Sequence, residues 1–195
     1  MDRESELSLV ARLRARDASA FDEAHAAFHA RLFNFLARLA RNRDVAEDLL
    51  EEVWLRLVSH APRLRPDTAI GAWLFTVARN LYFSYCRSRA LETGLAAESA
   101  AFWPSISAPS SPFEDTAASE TERRLERALA SLPPAYREVV LLVAVEGLPP
   151  AEAAVICGLS GTALRQRLHR AREMLVERLD ATPARARSKL REVLS

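Results

Sequence analysis

Arg165, Gln166, His169 and Arg172 recur at i, i+1, i+4 and i+7, a spacing that gathers them on one helix face with Thr162 and Arg170 beside it. Arginine and glutamine carry forked donors that match base edges in a major groove, and arginine also neutralises phosphate. A chain with 26 arginines and one lysine can equally use arginine to solvate a helix face. What separates these readings is the stretch just before. Ala154 offers a small side chain where two helices would cross, and Gly158 four residues later supplies a tight turn. Ser160 is placed to cap the next helix, and Val155, Leu164 and Leu168 are expected to fill the space between. That is the layout of a helix-turn-helix, whose second helix reads DNA.

Other chemistry-bearing groups are sparser. Glu47, Asp48, Glu51 and Glu52 lie opposite the stripe Val45, Leu49, Val53 and Leu57, which makes them either a solvated face or a docking surface for a basic partner. Trp73, Phe75, Tyr82, Phe83 and Tyr85 accompany Arg79, Arg87 and Arg89, the residue types that hold an unstacked base and a freed strand. Of these, Trp73 and Phe75 read as core, and Tyr82 or Tyr85 as the exposed stacker. His25 and His29 stand at i, i+4 with no cysteine or acid joining them on that face, so they read as surface or structural histidines and no metal is expected. No nucleophile elbow, phosphate-binding glycine loop or carboxylate dyad occurs, so the chain is read as a non-enzyme with no cofactor and no small-molecule substrate. Cys86 and Cys157 are too few and too far apart for a disulfide framework and read as buried thiols.

These groups need elements to hold them. The 195 residues are 49% apolar and 27% charged, with five glycines and ten prolines, a balance that favours an all-α chain with one large or two small cores. Helices are predicted over 5–17, 20–40, 44–61 and 69–89, the third opening on Asp44 as N-cap with Glu47 three residues on, and carrying Trp54 and Val58 on its inward side. Residues 90–119 turn to Ala, Ser, Pro and acid without period and read as a flexible linker, so that the two halves should fold separately. Its aromatics Phe102, Trp103 and Phe113 are unusual for a spacer. A helix from Glu120 to Ser131 follows. The run 139–145 is rich in β-branched residues, yet Pro134 suits a first helical turn and Gly147 a C-terminal cap, so it is read as helix. A short helix from Pro150 to Cys157 and a long one to about Leu179 complete a four-helix C-terminal domain. The net charge of +1 hides a segregation: −2 over 1–60, +4 over 61–90, −5 over 91–120, −1 over 121–160 and +5 over 161–195. Two basic stretches around an acidic one suit nucleic acid. No apolar run approaches the roughly 20 residues of a membrane span, and the charged N-terminus is unlike a signal peptide, so a cytoplasmic protein without membrane insertion is expected.

The segment LPPAEAAVICGLSGTALRQRLHRARE resembles the C-terminal DNA-binding region of extracytoplasmic-function (ECF) sigma factors, and the N-terminal half resembles the same family independently. There ARDASAF opens the helical domain, DVAEDLLEEVWLRL is similar to the helix that binds core polymerase, and AIGAWLFTVARN is similar to the promoter-melting segment. The resemblance implies a region 2-like domain over 1–89, a linker over 90–119, a region 4-like domain over 120–180 and a basic tail over 181–195. It implies a protein that binds core RNA polymerase through Glu47, Asp48, Glu51, Glu52 and Trp54. The minus-10 element would be met by Arg63, Arg65, Asp67, Arg79, Asn80 and Arg87. Thr162, Arg165, Gln166, Arg167, His169, Arg170 and Arg172 would meet the minus-35 element. An anti-sigma factor is the further partner it implies. Glu51 stands where the family usually has glutamine, and Thr76 and Ser84 where a basic and an acidic residue are common. The alternatives are a stand-alone helix-turn-helix regulator and a sigma-like decoy that only titrates another protein.

Overall fold

The computed structural model describes residues 3–92, 113 and 119–180. Among them the chain is helical throughout: α1 (Arg3–Arg14), α2 (Ala18–Ala40), α3 (Arg43–His60), a 3-10 turn (Ala61–Arg63), α4 (Ile70–Glu92), α5 (Glu120–Ser131), α6 (Pro134–Val140) running into a π turn (Leu141–Val145), α7 (Pro150–Cys157) and α8 (Gly161–Asp180). Phe102 and Trp103 lie outside the described residues.

Local chemistry explains most of the boundaries. The Asp17 side chain accepts from the Ser19 amide at 2.9 Å and opens α2. Arg41 takes a left-handed φ of 57° to end α2, and Asn42 caps α3 by accepting from the Val45 amide at 3.0 Å. The cap is therefore Asn42 and not Asp44. Glu47 pairs with Arg43 at 2.8 Å instead of closing a capping box. A reciprocal capping box does start α5, between Ser119 and Glu122. The apolar run after Pro134 is helical as the flanking residues imply, and its second half widens into the π turn before Gly147 at φ +66°.

The first four helices pack around Leu9, Leu13, Leu32, Leu36, Leu57 and Leu74, with the Phe35 and Phe75 rings edge to face at 5.4 Å. Gly71 lets α4 approach α2, because a Cβ there would stand 3.1 Å from the Phe28 ring. The last four close over Leu132, Val139, Leu142, Ile156, Leu164, Leu168 and Leu175.

These two clusters are continuous: the buried apolar residues of both halves form one core, with α7 lying on α4 and α6 on α2. The composition of the linker gives no sign that the two halves dock, and the docking is built around two adjacent charges. Arg137 is 2% exposed and Glu138 is 0% exposed. Arg137 donates to the Leu129, Ala130 and Leu132 carbonyls at 3.0, 2.6 and 2.7 Å in its own half, and to the Leu39 carbonyl at 2.8 Å across the seam. Its cation thus sits among the carbonyl-rich ends of α2 and α5, where helix dipoles favour positive charge. Burial still pulls its pKa down to about 10. Arg31–Glu146 at 3.0 Å and Arg38–Glu126 at 2.9 Å join the halves at the edge of the seam. Phe113 places its ring 4.1 Å from the Arg38 guanidinium, so this linker aromatic docks on the seam.

Candidate nucleic-acid and partner interfaces

Along α8 the helical repeat separates two faces. Leu164, Leu168, Ala171 and Leu175 are buried, and Thr162, Arg165, Gln166, His169 and Arg170 stand exposed on the opposite side. The turn ahead of it is built as its residues suggest. Gly158 adopts φ 65°, the left-handed region where a side chain is strained, and the Leu159 amide donates to the Ala154 carbonyl at 2.9 Å. Ser160 accepts from the Ala163 amide at 3.1 Å. Ala154 is buried at the crossing as expected, whereas Val155 is 74% exposed and fills nothing; Leu164 and Leu168 do that packing. Within the face, Arg165 donates to the Thr162 hydroxyl at 3.3 Å and His169 lies 3.3 Å from Glu173, so the long donors are arranged but not sequestered.

Two of the sequence-predicted arginines leave this face. Arg172 is half-buried with its Nε unpartnered, and Arg167 turns inward to Glu138 at 3.4 Å. The same carboxylate takes Arg79 of α4 at 2.8 Å. Burial pushes the Glu138 carboxyl up from its ordinary value, and the two guanidiniums only partly offset this. Arg79 also donates to the Asn80 side-chain oxygen at 3.2 Å and lies 4.7 Å from the centre of the Phe83 ring.

The remaining basic residues of the first half are open. Arg63 is exposed, and Arg65 and Asp67 form an exposed pair at 3.0 Å. Asn80 is exposed, as is Arg87, which donates to the Ser84 hydroxyl at 2.9 Å. The aromatics sort differently from expectation. Phe75 is core, and Trp73 packs against the core half-buried, near His60. Tyr82 is 6% exposed, packed against Phe83, and its phenol is driven upward by burial, so it is no exposed stacker; Tyr85 and Phe83 are half-buried.

On α3 the acidic quartet faces outward. Glu47 and Glu52 are tied to Arg43 and Arg56 one turn away, and Asp48 and Glu51 are exposed. Val58 is 57% exposed beside exposed Leu55, which removes it from the inward stripe. A notch of about 470 Å³ opens between α2 and α3, lined by His29, Phe33, Glu47, Leu50, Glu51 and Trp54. Beside it, exposed His25 lies 4.3 Å from His29 and 4.9 Å from Trp54. Burial and the neighbouring His25 pull the His29 pKa down, and the Trp54 indole N–H has no partner. Among the described residues no three metal-ligating side chains come together, and no helix is long and apolar enough to cross a membrane. Cys86 and Cys157 are free and buried, the latter's thiol pushed up to about 12.

The buried Glu138 is the residue that sequence reasoning missed. Its signal was available: an Arg–Glu pair on the inward side of a helix, immediately before the run Val139–Val145.

Comparison with known proteins adds the context. Residues 24–92 match the family described as Sigma-70 region 2, and residues 122–175 match Sigma-70, region 4. The chain is 34% identical over 160 residues to the RNA polymerase sigma factor CarQ of Myxococcus xanthus, covering 82% of this chain and 89% of the relative. It is 36% identical over 141 residues to the ECF RNA polymerase sigma factor EcfG of Rhodopseudomonas palustris, covering 72% and 75%. The fold is similar to that of CnrH in complex with the cytosolic domain of CnrY, with a TM-score of 0.66, 23% identity and coverage of 91% and 99%. It is similar also to the sigma factor RpoE bound to the anti-sigma factor NepR of Bartonella quintana, with a TM-score of 0.66, 24% identity and coverage of 84% and 98%.

Proposed function

We propose, from the premise that this chain belongs to the ECF sigma factors of the sigma-70 family, that it joins core RNA polymerase and directs it to promoters, with no chemistry of its own. The observation that carries this reading is the α8 face: Thr162, Arg165, Gln166, His169 and Arg170 are exposed together on a helix held rigidly by Ala154, Gly158 and Ser160. Arg165 and Gln166 supply forked donors for base edges of a minus-35 element, and exposed Arg170 supplies charge for phosphate. Arg63, Arg65, Asp67, Asn80 and Arg87, with Arg79 once freed, serve the minus-10 element. The outward acids of α3 and the Trp54 notch serve the polymerase. Acid at the rim suits a basic partner.

The protein acts in the cytoplasm, where polymerase and DNA are. An anti-sigma factor is its regulator, a role supported by the solved neighbour that holds one. The test is transcription from genomic DNA with purified core polymerase, with and without the protein. New, protein-dependent start sites are the expected result. DNA binding without them points to a stand-alone regulator and overturns the reading.

A further inference from the structure

Helix α1 precedes the region that matches Sigma-70 region 2, which begins at residue 24. It is seated by Leu9, Val10 and Leu13, all fully buried in the core of the first half. Its opening turn reaches the segment 64–69, which joins the 3-10 turn to α4. Leu64 and Ile70 anchor the ends of that segment in the core, but Arg65, Pro66 and Asp67 between them are exposed. A turn bond from the Thr68 amide to the Arg65 carbonyl, 3.1 Å, shapes it from within.

Two side chains of α1 hold the segment by its backbone. Arg3 donates to the Asp67 carbonyl at 2.9 Å. Glu6 accepts from the Gly71 amide at 3.4 Å, at the start of α4, where free amides and the helix dipole favour a carboxylate. Arg3 also donates to the other Glu6 oxygen at 3.0 Å, so each side chain steadies its neighbour. Because both outer bonds go to main-chain atoms, they fix the course of the chain whatever side chains it carries.

We propose that Arg3 and Glu6 are positioning residues for the minus-10 element: they hold the segment 64–70 in the course that presents Arg63, Arg65 and Asp67, and so set base selectivity without touching DNA. The inference rests on the sigma-factor reading, which supplies the identity of the DNA. An exposed segment left unheld has to be ordered as it binds, and that cost falls on affinity and on the discrimination its side chains deliver. With the α1 clasp in place, the ordering is done when the chain folds.

The experiment exchanges the two residues in the full chain, Arg3→Glu with Glu6→Arg. The exchange keeps the ion pair and the net charge, but a glutamate cannot donate to the Asp67 carbonyl and an arginine cannot accept from the Gly71 amide. Hydrogen exchange of peptides spanning 64–71 in the free chain, read by mass spectrometry, should quicken several-fold. The variant bound to core polymerase is then given two promoter libraries built on one protein-dependent start site, randomised at the minus-10 or at the minus-35 positions. Sequenced transcripts should show minus-10 selectivity reduced several-fold and minus-35 selectivity as in wild type. Arg3→Lys, which keeps a donor for Asp67, should stay close to wild type in both readouts. Unchanged exchange, unchanged minus-10 selectivity, or an equal loss at both elements overturns the proposal. If far-UV circular dichroism shows that the double variant loses helix, Arg3→Met decides by the same two readouts, since it removes only the donor of an exposed side chain. A wild-type chain that gives no transcripts with core polymerase overturns the sigma reading and the positioning role with it. Wild-type transcription with unaltered selectivity in the variant overturns the positioning role alone.

Discussion

Replacing Arg137 with methionine tests whether the seam is held by the guanidinium's hydrogen bonds or merely tolerates a buried charge. Methionine keeps an unbranched stem, so apolar packing changes little and the effect is polar. The Leu129 carbonyl retains the Leu132 amide as a donor at 3.1 Å, but the Leu39, Ala130 and Leu132 carbonyls lose bonds of 2.8, 2.6 and 2.7 Å. Three buried acceptors left without that donor cost about 2 kcal/mol each, or roughly 6 kcal/mol. Against this, the charge need no longer be held out of water. A fall in pKa from 12.5 to about 10 sets that relief at about 3 kcal/mol. The net expectation is a loss of about 3 kcal/mol, within the range for breaking a buried polar network. Urea unfolding of the full chain, followed by far-UV circular dichroism, should show a lower midpoint at similar slope. Arg137→Lys, with three donors and no fork, should fall between the two. A methionine variant within about 1 kcal/mol of wild type refutes the reasoning, because desolvation would then cancel the bonds.

Three further outcomes concern the α8 face, the α3 acids and buried Glu138. Arg165→Ala or Gln166→Ala should lose about 1–3 kcal/mol of discrimination between a cognate minus-35 site and its scrambled version, while Arg170→Ala should weaken both alike and flatten the salt slope; equal losses at both sites for all three variants would remove the base-reading role. Asp48→Lys with Glu52→Lys should shift the melting temperature little, since exposed acids contribute under about 0.5 kcal/mol, yet should sharply reduce binding to core polymerase; assembly at wild-type affinity over a range of salt would show that this face is not the docking surface. Glu138, whose pKa burial raises above the usual 4.5, contributes stability that is present below that value and is lost as pH rises through its raised folded value. The unfolding free energy of wild type relative to Glu138→Gln should therefore fall as pH rises from about 4 to 7, and a rise would contradict the assigned direction.

Much of this fold is written in short-range chemistry. The capping serine at 160, the glycine at 158 and the proline at 134 act within one turn of the chain, and each marks its boundary in the structure as it does in the sequence. The α8 face was equally legible, because helical spacing alone separates Leu164, Leu168 and Leu175 from Arg165, Gln166 and His169. Asp44 misled because Asn42 and Asp44, two positions apart, can each cap, and only the turn geometry set by Arg41 selects Asn42. Tyr82 misled for a different reason. Burial at the seam depends on what the other half presents, and periodicity within a helix carries no information about that.

The seam is where local reasoning reaches its limit, and the cause is physical. Residues 31, 38, 79, 137 and 138 are separated from their partners across the seam by 59 to 115 positions. No local propensity encodes such pairings. What the sequence does show is the cost that they must offset. Arg137 and Glu138 lie on the side of α6 that faces the core, beside Val139, Val140 and Leu142, all buried. An unpaired charge there would be prohibitively unstable, so both side chains must find partners of opposite character nearby. Arg137 finds carbonyls at the end of α2, and Glu138 finds an arginine on α4. Each solution reaches into the first half of the chain. A buried charged pair in a helix that could have closed its own domain with apolar residues thus states, before any contact is known, that something else must cover it. In this chain the cover is the other half of the molecule, which meets Arg137 at the Leu39 carbonyl and Glu138 at Arg79.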